Sequence, residues 1–332
     1  MTMQANFSTA HLPFRTFTKD ILVKGKPAKK RCIEIAGQQY TVSCGFANVV
    51  SLDDEWFEDV KDPDHVIQTI KRSGLGADIF AFWQRPPDQE PRFNFYKEWE
   101  SVAALPVRGY DHWFSKQISS RLRSQIRKAI KEGLEIRETA YDDDFVRGMT
   151  EIFNETPVRQ GRPFWHYGKD FETIKKQFST YIYREQMIGA YLGGEMVGFI
   201  MLGDSGNFGL TGQIISKVKH RDKVTNNALI GKAVEICEKR KLPWLVYGYW
   251  TNDSLAEFKR RCGFEEQRVP RYFVPLSLKG AVALKSGLHR GWKNALPSQI
   301  KSPLKKLRKF LYGLRTEGSA ERSLADTSKD SN

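Results

Sequence analysis

The sequence predicts an α/β (α+β) chain built on a mixed, mainly antiparallel sheet flanked by helices. It also predicts a smaller N-terminal α/β lobe and a basic helical C-terminal tail. Residues 187–216 hold three strand-like apolar segments, of which the first two are joined by the turn Gly193-Gly194. Residues 227–274 then follow a helix, strand, helix, strand order, which requires helices packed on the sheet.

The N-terminal part begins with about 30 residues that end in a basic stretch and are expected to be a loosely ordered lead-in. Period-two and apolar patterns predict strands at residues 32–35 and 40–50 around the turn Gly37-Gln38, a helix at 53–71 and a strand at 79–83. Three prolines between residues 86 and 91 then break the chain.

The central part predicts a helix over residues 110–132 that has apolar residues on one side and arginines around it, with Gly133 as its C-cap. Three consecutive aspartates suit the start of a helix at 142–153 because of the helix dipole. The remaining predictions are helices at 171–183, 227–241 and 253–262, and strands at 134–138, 187–192, 196–202, 208–216, 244–250 and, as a pair, 264–274. These elements predict domains at 1–108, 109–276 and 277–332.

Composition restricts the class of protein. The 332 residues are 40% hydrophobic and 28% charged, which excludes a fibrous or disordered chain. No apolar run approaches the ~20 residues of a membrane span, and no signal-peptide core is visible, so the sequence predicts a cytoplasmic protein. The four cysteines are widely spaced, which predicts reduced thiols and no metal site.

A polar loop precedes the helix predicted at 227–241, where a helix N-terminus offers N–H groups to a phosphate. Its residues 223–228, Lys-Val-Thr-Asn-Asn-Ala, resemble the pyrophosphate loop of GNAT acyltransferases, with Lys223 and Asn226 replacing the usual Gln or Arg and Gly. The resemblance implies an acyl-CoA co-substrate held by Lys223, Thr225, Asn226, Asn227 and Ala228. The alternative is a plain solvated loop.

A second run, residues 255–264, follows Asn252 at the spacing of the last helix and strand in GNAT domains. The resemblance implies that Asn252 lies where two neighbouring strands part and admit the acyl carrier, while Phe258 packs inside. A purely structural interpretation explains Phe258, Gly263 and Phe264, but it does not explain Asn252 as easily.

A third run decides the branch within this group. The arginine-rich residues 121–129 follow Leu105-Pro106 and Trp113, and they are similar to the helix that joins the two lobes of FemAB-like proteins. Those proteins resemble tandem GNAT domains, which implies that residues 1–108 form a degenerate GNAT-like lobe. The alternative for the arginines is a solvated helix face.

The loop 154–170 combines arginines, aromatic residues and one imidazole, and loops on rigid scaffolds often hold substrates. Forked hydrogen bonds suit Arg159 and Arg162 to a carboxylate or phosphate group of the acceptor substrate, and Trp165 and Gln213 complete the predicted substrate-binding set. The candidate catalytic residues are His166, Tyr249 and Lys259. The alternative is that the aromatic residues anchor the loop and that His166 is inert.

The expected function is N-acyl transfer from acyl-CoA, with acetyl-CoA as the expected donor, to an amine of a sugar, an amino acid or a cell-envelope or polysaccharide precursor. Lys259 stands where GNAT enzymes often carry a tyrosine that protonates the leaving thiolate. This difference favours the FemAB-like alternative, aminoacyl transfer from aminoacyl-tRNA. The other alternative is a non-catalytic module that binds nucleic acid or a membrane surface.

The C-terminal tail carries much of the net charge of +14, with ten Lys or Arg and no Asp or Glu between residues 277 and 315. Apolar residues at 300, 304, 307, 311 and 314 follow helical spacing among these bases. A basic amphipathic helix predicts contact with an anionic membrane surface, and hence a peripheral position at the inner membrane face. The alternative is a helix docked on the folded body or on a partner.

Overall fold

The computed structural model describes residues 14–23, 26–179 and 182–290. Its strands are β1 (Phe14–Val23), β2 (Lys26–Ile35), β3 (Gln38–Ser43), β4 (Val49–Leu52), β5 (Ile79–Trp83), β6 (Tyr96–Pro106), β7 (Leu134–Thr139), β8 (Val158–Arg159), β9 (Arg162–Pro163), β10 (Glu185–Leu192), β11 (Glu195–Asp204), β12 (Gly209–Ser216), β13 (Trp244–Tyr249) and β14 (Glu265–Pro275). Its α-helices are α1 (Pro63–Arg72), α2 (Tyr110–His112), α3 (Ser120–Lys131), α4 (Asp143–Asn154), α5 (Phe171–Phe178), α6 (Thr225–Lys239), α7 (Ser254–Arg261) and α8 (Leu278–Lys285). A π-helix spans Trp113–Gln117, and 3-10 helices span Ile182–Arg184, Val218–Lys223 and Leu288–Arg290.

The chain folds into two compact units. Of the described residues, unit 1 takes 14–23, 26–53, 62–81 and 273–290, and unit 2 takes 54–61, 82–179 and 182–272. The units therefore alternate along the chain, and the predicted contiguous domains 1–108, 109–276 and 277–332 stay a prediction. The amphipathic helix predicted between residues 300 and 314 lies outside the described residues.

Unit 1 has the strand order β1-β2-β3-β4-β5. Neighbours run antiparallel up to β4, and β4 and β5 run parallel. The turn from β2 to β3 uses left-handed backbone at Ala36 and Gly37, a geometry that suits a two-residue hairpin. The predicted strand 40–50 is in fact two strands, β3 and β4, and the predicted helix 53–71 is wrong in its first half, since α1 begins only after the cap Asp62.

Unit 2 has the strand order β14-β6-β13-β12-β11-β10-β7. Antiparallel pairing joins β7 to β10, β10 to β11, β11 to β12 and β13 to β6, whereas β12 and β13 run parallel. The predicted fold class, a mixed and mainly antiparallel sheet flanked by helices, is confirmed.

Helices cover both faces of this sheet because its central strands alternate two apolar sets. Ile188, Ile200 and Leu202 pack with residues of α3 and α6. The intervening Met187 and Phe199 pack with residues of α4 and α5 instead. Strands with apolar residues on both faces must be buried between two layers.

Two other sequence predictions need correction. The helix predicted over residues 110–132 is interrupted, because Ile118 takes an extended conformation between the π-helix and α3. The strand pair predicted at 264–274 is the single strand β14. None of the helices in the described ranges combines the length and apolar character needed to cross a membrane.

Candidate functional site: a cleft between two diverging strands

The parallel strands β12 and β13 are hydrogen-bonded over a short distance only. Their ladder consists of two residue pairs, Gly209 with Leu245 and Leu210 with Val246, after which β12 continues to Ser216 and β13 to Tyr249. A cleft of about 440 Å³ lies along the continuing segment of β12. Its lining comes from the loop around β8 and β9, β12, the 3-10 helix before α6, the start of α6, β13 and α7: Arg159, Gln160, Phe164, Gln213, Ile214, Ile215, Ser216, Lys217, Val218, Arg221, Asn226, Tyr247, Ser254, Leu255 and Phe258.

The first turn of α6 forms one wall of the cleft. The residue before it, Val224, has left-handed backbone (φ 46°), and no side chain caps the helix. Asn226 lines the cleft, and its buried Oδ1 atom has no hydrogen-bond partner among the described residues. An uncapped helix N-terminus presents N–H groups and the positive end of the dipole, which together favour an anionic group.

Glu155 fixes the loop that leads into α6. Its Oε2 accepts a hydrogen bond from the N–H of Val218 (2.6 Å), and its Oε1 accepts one from Lys219 (2.9 Å). Arg159 connects this carboxylate to the end of β12, because Nη2 donates to Glu155 (3.1 Å) and Nη1 donates to the carbonyl of Ser216 (2.8 Å). Arg159, which the sequence predicts to bind substrate, thus lines the cleft, but both of its Nη atoms already donate hydrogen bonds to residues of the cleft wall.

Lys217 also lines the cleft with its charge neutralised. Its buried Nζ donates to Glu151 (3.0 Å) and pairs closely with Glu195. The hydrogen bonds from Lys217, followed by that from Lys219, lower the pKa of Glu195 to about 2. The fixed ion pairs leave the wall polar without adding a large net charge.

The residues predicted to hold the donor are separated by the fold. Of the five loop residues, Asn226 reaches the cleft, whereas Lys223 forms ion pairs with Glu132 (2.6 Å) and Asp222 (3.1 Å). Thr225, Asn227 and Ala228 are buried, and Nδ2 of Asn227 donates to the sulfur of Cys262 (3.1 Å). Asn252 is exposed in the loop between β13 and α7 and does not line the cleft. Their binding roles stay predictions.

The residues predicted for the acceptor are also divided. Gln213 lines the cleft from β12. Arg162 is exposed in β9, and Trp165 is 61% exposed in the loop that follows, where Nζ of Lys169 lies 3.5 Å from the centroid of its ring. An accessible cation–aromatic pair beside a cleft can contact a ligand, so these positions remain compatible with acceptor binding.

His166 lies in an aromatic cluster and does not line the cleft. Phe153 stacks on its ring with centroids 4.4 Å apart, and Nε1 of Trp165 donates to its Nε2 (2.7 Å). Burial, with a smaller contribution from the charge of Lys169, lowers the pKa of His166 to about 4. The imidazole is therefore neutral near pH 7, and its role in proton transfer stays a prediction.

Lys259 lies directly behind the aromatic wall of the cleft. Its side chain is 2% exposed, its Nζ donates to the carbonyl of Tyr249 (2.7 Å), and it lies 4.7 Å from the ring centroid of Tyr247. Both Tyr247 and the neighbouring Phe258 line the cleft. Burial lowers the pKa of Lys259 to about 8, so most of the ammonium remains charged at pH 7. The site thus has a buried cation whose proton can be removed near neutral pH.

Tyr249, which is 43% exposed, borders an ionic cluster around the buried Arg271 that the sequence did not indicate. Arg271 makes a forked pair with Glu55 (2.9 and 3.0 Å), donates from Nε to Glu100 (2.7 Å), and has Nη2 3.4 Å from the Tyr249 hydroxyl. The hydrogen bonds and charge of Glu55, with that of Glu100, outweigh burial and raise the pKa of the guanidinium. The cluster fixes the end of β13, where the carbonyl of Tyr249 accepts the hydrogen bond from Lys259.

Glu185 is a second residue that sequence reasoning missed. A Cβ atom at Gly212 would lie 3.2 Å from its Oε1, which places this carboxylate next to the residue before the cleft-lining Gln213. Burial raises the pKa of Glu185 to about 7. Burial of Tyr141, with a smaller contribution from the charge of Glu185, raises the pKa of Tyr141 to about 12. Nothing local distinguishes Glu185 in the sequence, because its desolvation arises from elements that are distant along the chain.

The raised pKa predicts a pH-dependent stability. Between pH 4.5, the ordinary pKa of this side chain, and about pH 7, Glu185 is protonated in the folded protein but ionised in the unfolded chain. The contribution of Glu185 to the free energy of unfolding therefore decreases as pH rises through this window. We expect Glu185→Gln to raise the free energy of unfolding at pH 8 by about 1–2 kcal/mol, after allowance for partial exposure, and to leave it unchanged below pH 4.5. Urea denaturation across this range measures the difference. The control is Glu266→Gln on the exposed part of β14, and an equal response of both variants would contradict the assignment.

Comparison with known proteins supports the fold and leaves the activity open. No family model matches the chain, and no curated protein matches it. The solved structure of FemX has a TM-score of 0.52 and 10% identity, covering 81% of this chain and 90% of that chain. The C-terminal domain of an Agrobacterium fabrum protein assigned as a lysylphosphatidylglycerol synthetase has a TM-score of 0.51 and 13% identity, covering 77% of this chain and 87% of that chain.

These likenesses support the expected fold class, a mixed sheet flanked by helices, which this chain shares with FemX. At such low identity they show the fold alone. Among the described residues, no three His, Cys, Asp or Glu side chains are grouped so that they could hold a metal ion.

Proposed function

We propose that the cleft of unit 2 transfers an acyl group from an activated donor to an amine. The observation that carries this proposal is the arrangement of the cleft: two parallel strands part, an uncapped helix N-terminus lies at one wall, and the buried ammonium of Lys259 lies behind the other. The likeness of the fold to FemX supports a transferase of this general type.

The proposed reaction requires the protein mainly to hold the donor and the amine in position and to supply favourable charge. The amine nitrogen attacks the donor carbonyl, a C–N bond forms, the bond to the leaving group breaks, and the proton lost by the amine is transferred to the leaving group. Parted strands expose backbone N–H groups that can stabilise the tetrahedral oxyanion. In this scheme the buried ammonium of Lys259, behind the ring of Tyr247, supplies positive charge that favours the negative charge developing as the leaving group departs.

The proposed donor is acyl-CoA, with acetyl-CoA as the first choice. Its pyrophosphate would meet the first turn of α6 beside Asn226, where the helix dipole favours negative charge. The proposed acceptor is an amine on a sugar, amino acid or envelope precursor, with Arg162 and Trp165 on the acceptor side. Gln213, which lines the same cleft, is suited to orient the reacting carbonyl or the amine by hydrogen bonding.

The donor site is tested by Asn226→Asp. A carboxylate at this position would repel a phosphate and oppose the helix N-terminus, so we expect the affinity for acetyl-CoA to fall about 10-fold or more. Calorimetric titration with acetyl-CoA and free coenzyme A, at moderate salt, measures this change. Asn207→Asp introduces the same charge in the exposed turn at the other end of β12 and should leave the affinity unchanged. If the wild type, Asn226→Asp and Asn207→Asp all bound acetyl-CoA with equal affinity, the donor would not bind at the first turn of α6.

Aminoacyl transfer from tRNA is the second candidate, favoured by the residue at position 259 and by the likeness of the fold. A lysine, Lys259, occupies the position that would otherwise hold a tyrosine to protonate a thiolate, and the fold resembles that of FemX. This function predicts transfer of a labelled amino acid from charged tRNA, and binding that weakens steeply with salt. Transfer from acetyl-CoA without any transfer from charged tRNA would exclude it.

A further inference from the structure

Helix α8 presents an apolar face to solvent. Leu278 is 89% exposed and Val282 is 56% exposed, and their spacing of four residues places them on one side of the helix. The opposite side is packed, since Gly280 and Ala283 are buried. Large exposed aliphatic side chains on an ordered helix indicate a surface that contacts something apolar.

The helix is fixed in this orientation at its start. The Oγ atom of Ser277 accepts from the N–H of Gly280 (3.1 Å) and donates to Oδ1 of Asp78 (2.7 Å). A Cβ atom at Gly280 would collide with the backbone carbonyl of Asp78, so this side of the helix packs directly against the backbone at Asp78. Leu278 and Val282 cannot turn inward while these contacts hold.

The apolar face is surrounded by positive charge. Lys279 and Lys285 are exposed on α8, and Nζ of Lys279 lies 6.0 Å from the ring centroid of Phe46, which is itself 49% exposed. The carboxylate facing Lys279 is Asp78, at 3.3 Å, and it is largely buried. Between residues 277 and 315 the sequence has ten Lys or Arg and no Asp or Glu.

The positive charge beside the apolar face of α8 indicates which kind of partner can bind there. A second copy of the chain would bring the same bases against themselves, and like charges in apposition oppose association. An anionic lipid surface offers both an apolar layer for the aliphatic side chains and negative headgroups for the lysines.

We propose that the face formed by Phe46, Leu278, Lys279, Val282 and Lys285 rests on an anionic phospholipid bilayer. The aliphatic side chains enter the interfacial layer, and the two ammonium groups lie at the level of the headgroups. The contact is independent of the chemistry proposed for the cleft, because it involves only residues of unit 1.

Vesicle flotation of the full chain tests the proposal. Vesicles of phosphatidylcholine with about 30% phosphatidylglycerol are compared with vesicles of phosphatidylcholine alone. We expect binding to the anionic vesicles only, weakened at high salt. Leu278→Gln with Val282→Gln, which leaves the charge unchanged, should lower the partition coefficient about 10-fold or more. Lys279→Gln with Lys285→Gln should lower it about 10-fold.

Control variants separate this contact from nonspecific adsorption and from dimer formation. Ile130→Gln changes an exposed aliphatic residue on α3 of unit 2 and should leave binding unchanged, while an unaltered circular dichroism spectrum shows that each variant is folded. Wild-type binding by the Leu278/Val282 double variant would overturn the proposal, as would failure of the wild type to bind anionic vesicles. A dimer in light scattering that this double variant converts to a monomer would assign the face to a second copy and also overturn it.

Discussion

Lys259→Met is expected to lower the turnover of the proposed transfer by about 10- to 100-fold, because it removes a buried positive charge that favours departure of the leaving group. Methionine nearly preserves the volume of the buried stem but removes the ammonium that lies behind Tyr247 and donates to the carbonyl of Tyr249. Steady-state assay with the donor identified by titration gives the turnover number. Lys175→Met, which removes an exposed charge on α5, is the matched control.

The pH profile distinguishes a chemical role of Lys259 from a structural one. Its pKa of about 8 predicts that wild-type turnover decreases above pH 8 as the ammonium loses its proton, whereas the residual activity of Lys259→Met shows no such decrease. The variant also leaves the Tyr249 carbonyl without its donor, which costs about 1–3 kcal/mol of stability. Turnover is therefore compared only at temperatures where both proteins are folded. Equal turnover of wild type and variant would remove Lys259 from the mechanism.

Arg271→Met is expected to lower the free energy of unfolding by about 2–3 kcal/mol, because it leaves the partly exposed carboxylates of Glu55 and Glu100 without their cation. Urea denaturation followed by tryptophan fluorescence measures the loss, since Trp83 lies 5.9 Å from the guanidinium. Arg268→Met is the matched control. Arg268 is exposed on the same strand, and its guanidinium carbon lies 5.5 Å from the ring centroid of Trp99. It should cost less than about 1 kcal/mol.

A second change tests the physical cause. If the loss arises from uncompensated negative charge, then adding Glu55→Gln to Arg271→Met should restore part of the stability. A loss in Arg271→Met that Glu55→Gln does not reduce would instead point to lost packing of the long arginine stem. Stability equal to that of the wild type would show that the cluster contributes nothing measurable.

The sequence determined the elements whose signals are local. The Gly193-Gly194 turn joins β10 and β11 as predicted, since the two glycines supply the left-handed backbone that the hairpin requires. Asp142 caps α4 by accepting from the N–H of Phe145 (2.9 Å), as the run of aspartates indicated. Such features depend on contacts between residues three or four apart, so a single stretch of sequence contains all the information.

Elements whose stability comes from distant strands were missed. Strand β1 lies in the stretch expected to be a loose lead-in, and β6 follows a proline-rich segment that masked its pattern. Their pairing partners are β2 for the first and β13 for the second, and the latter is more than a hundred residues away along the chain. An edge strand or a strand with mixed polarity becomes a strand because a neighbour offers hydrogen bonds.

The candidate site likewise combines features that the local sequence indicated with features that only the tertiary structure established. The sequence alone indicated a donor loop, an acceptor loop and Lys259, and the tertiary structure decided which side chains meet. It placed Asn226, Gln213 and Arg159 on one cleft, enclosed His166 among aromatic rings, and joined Arg271 to Glu55 and Glu100 across long chain separations. Burial and long-range charge pairs set the pKa values of Lys259 and Glu185, and neither quantity is a property of a local stretch of sequence.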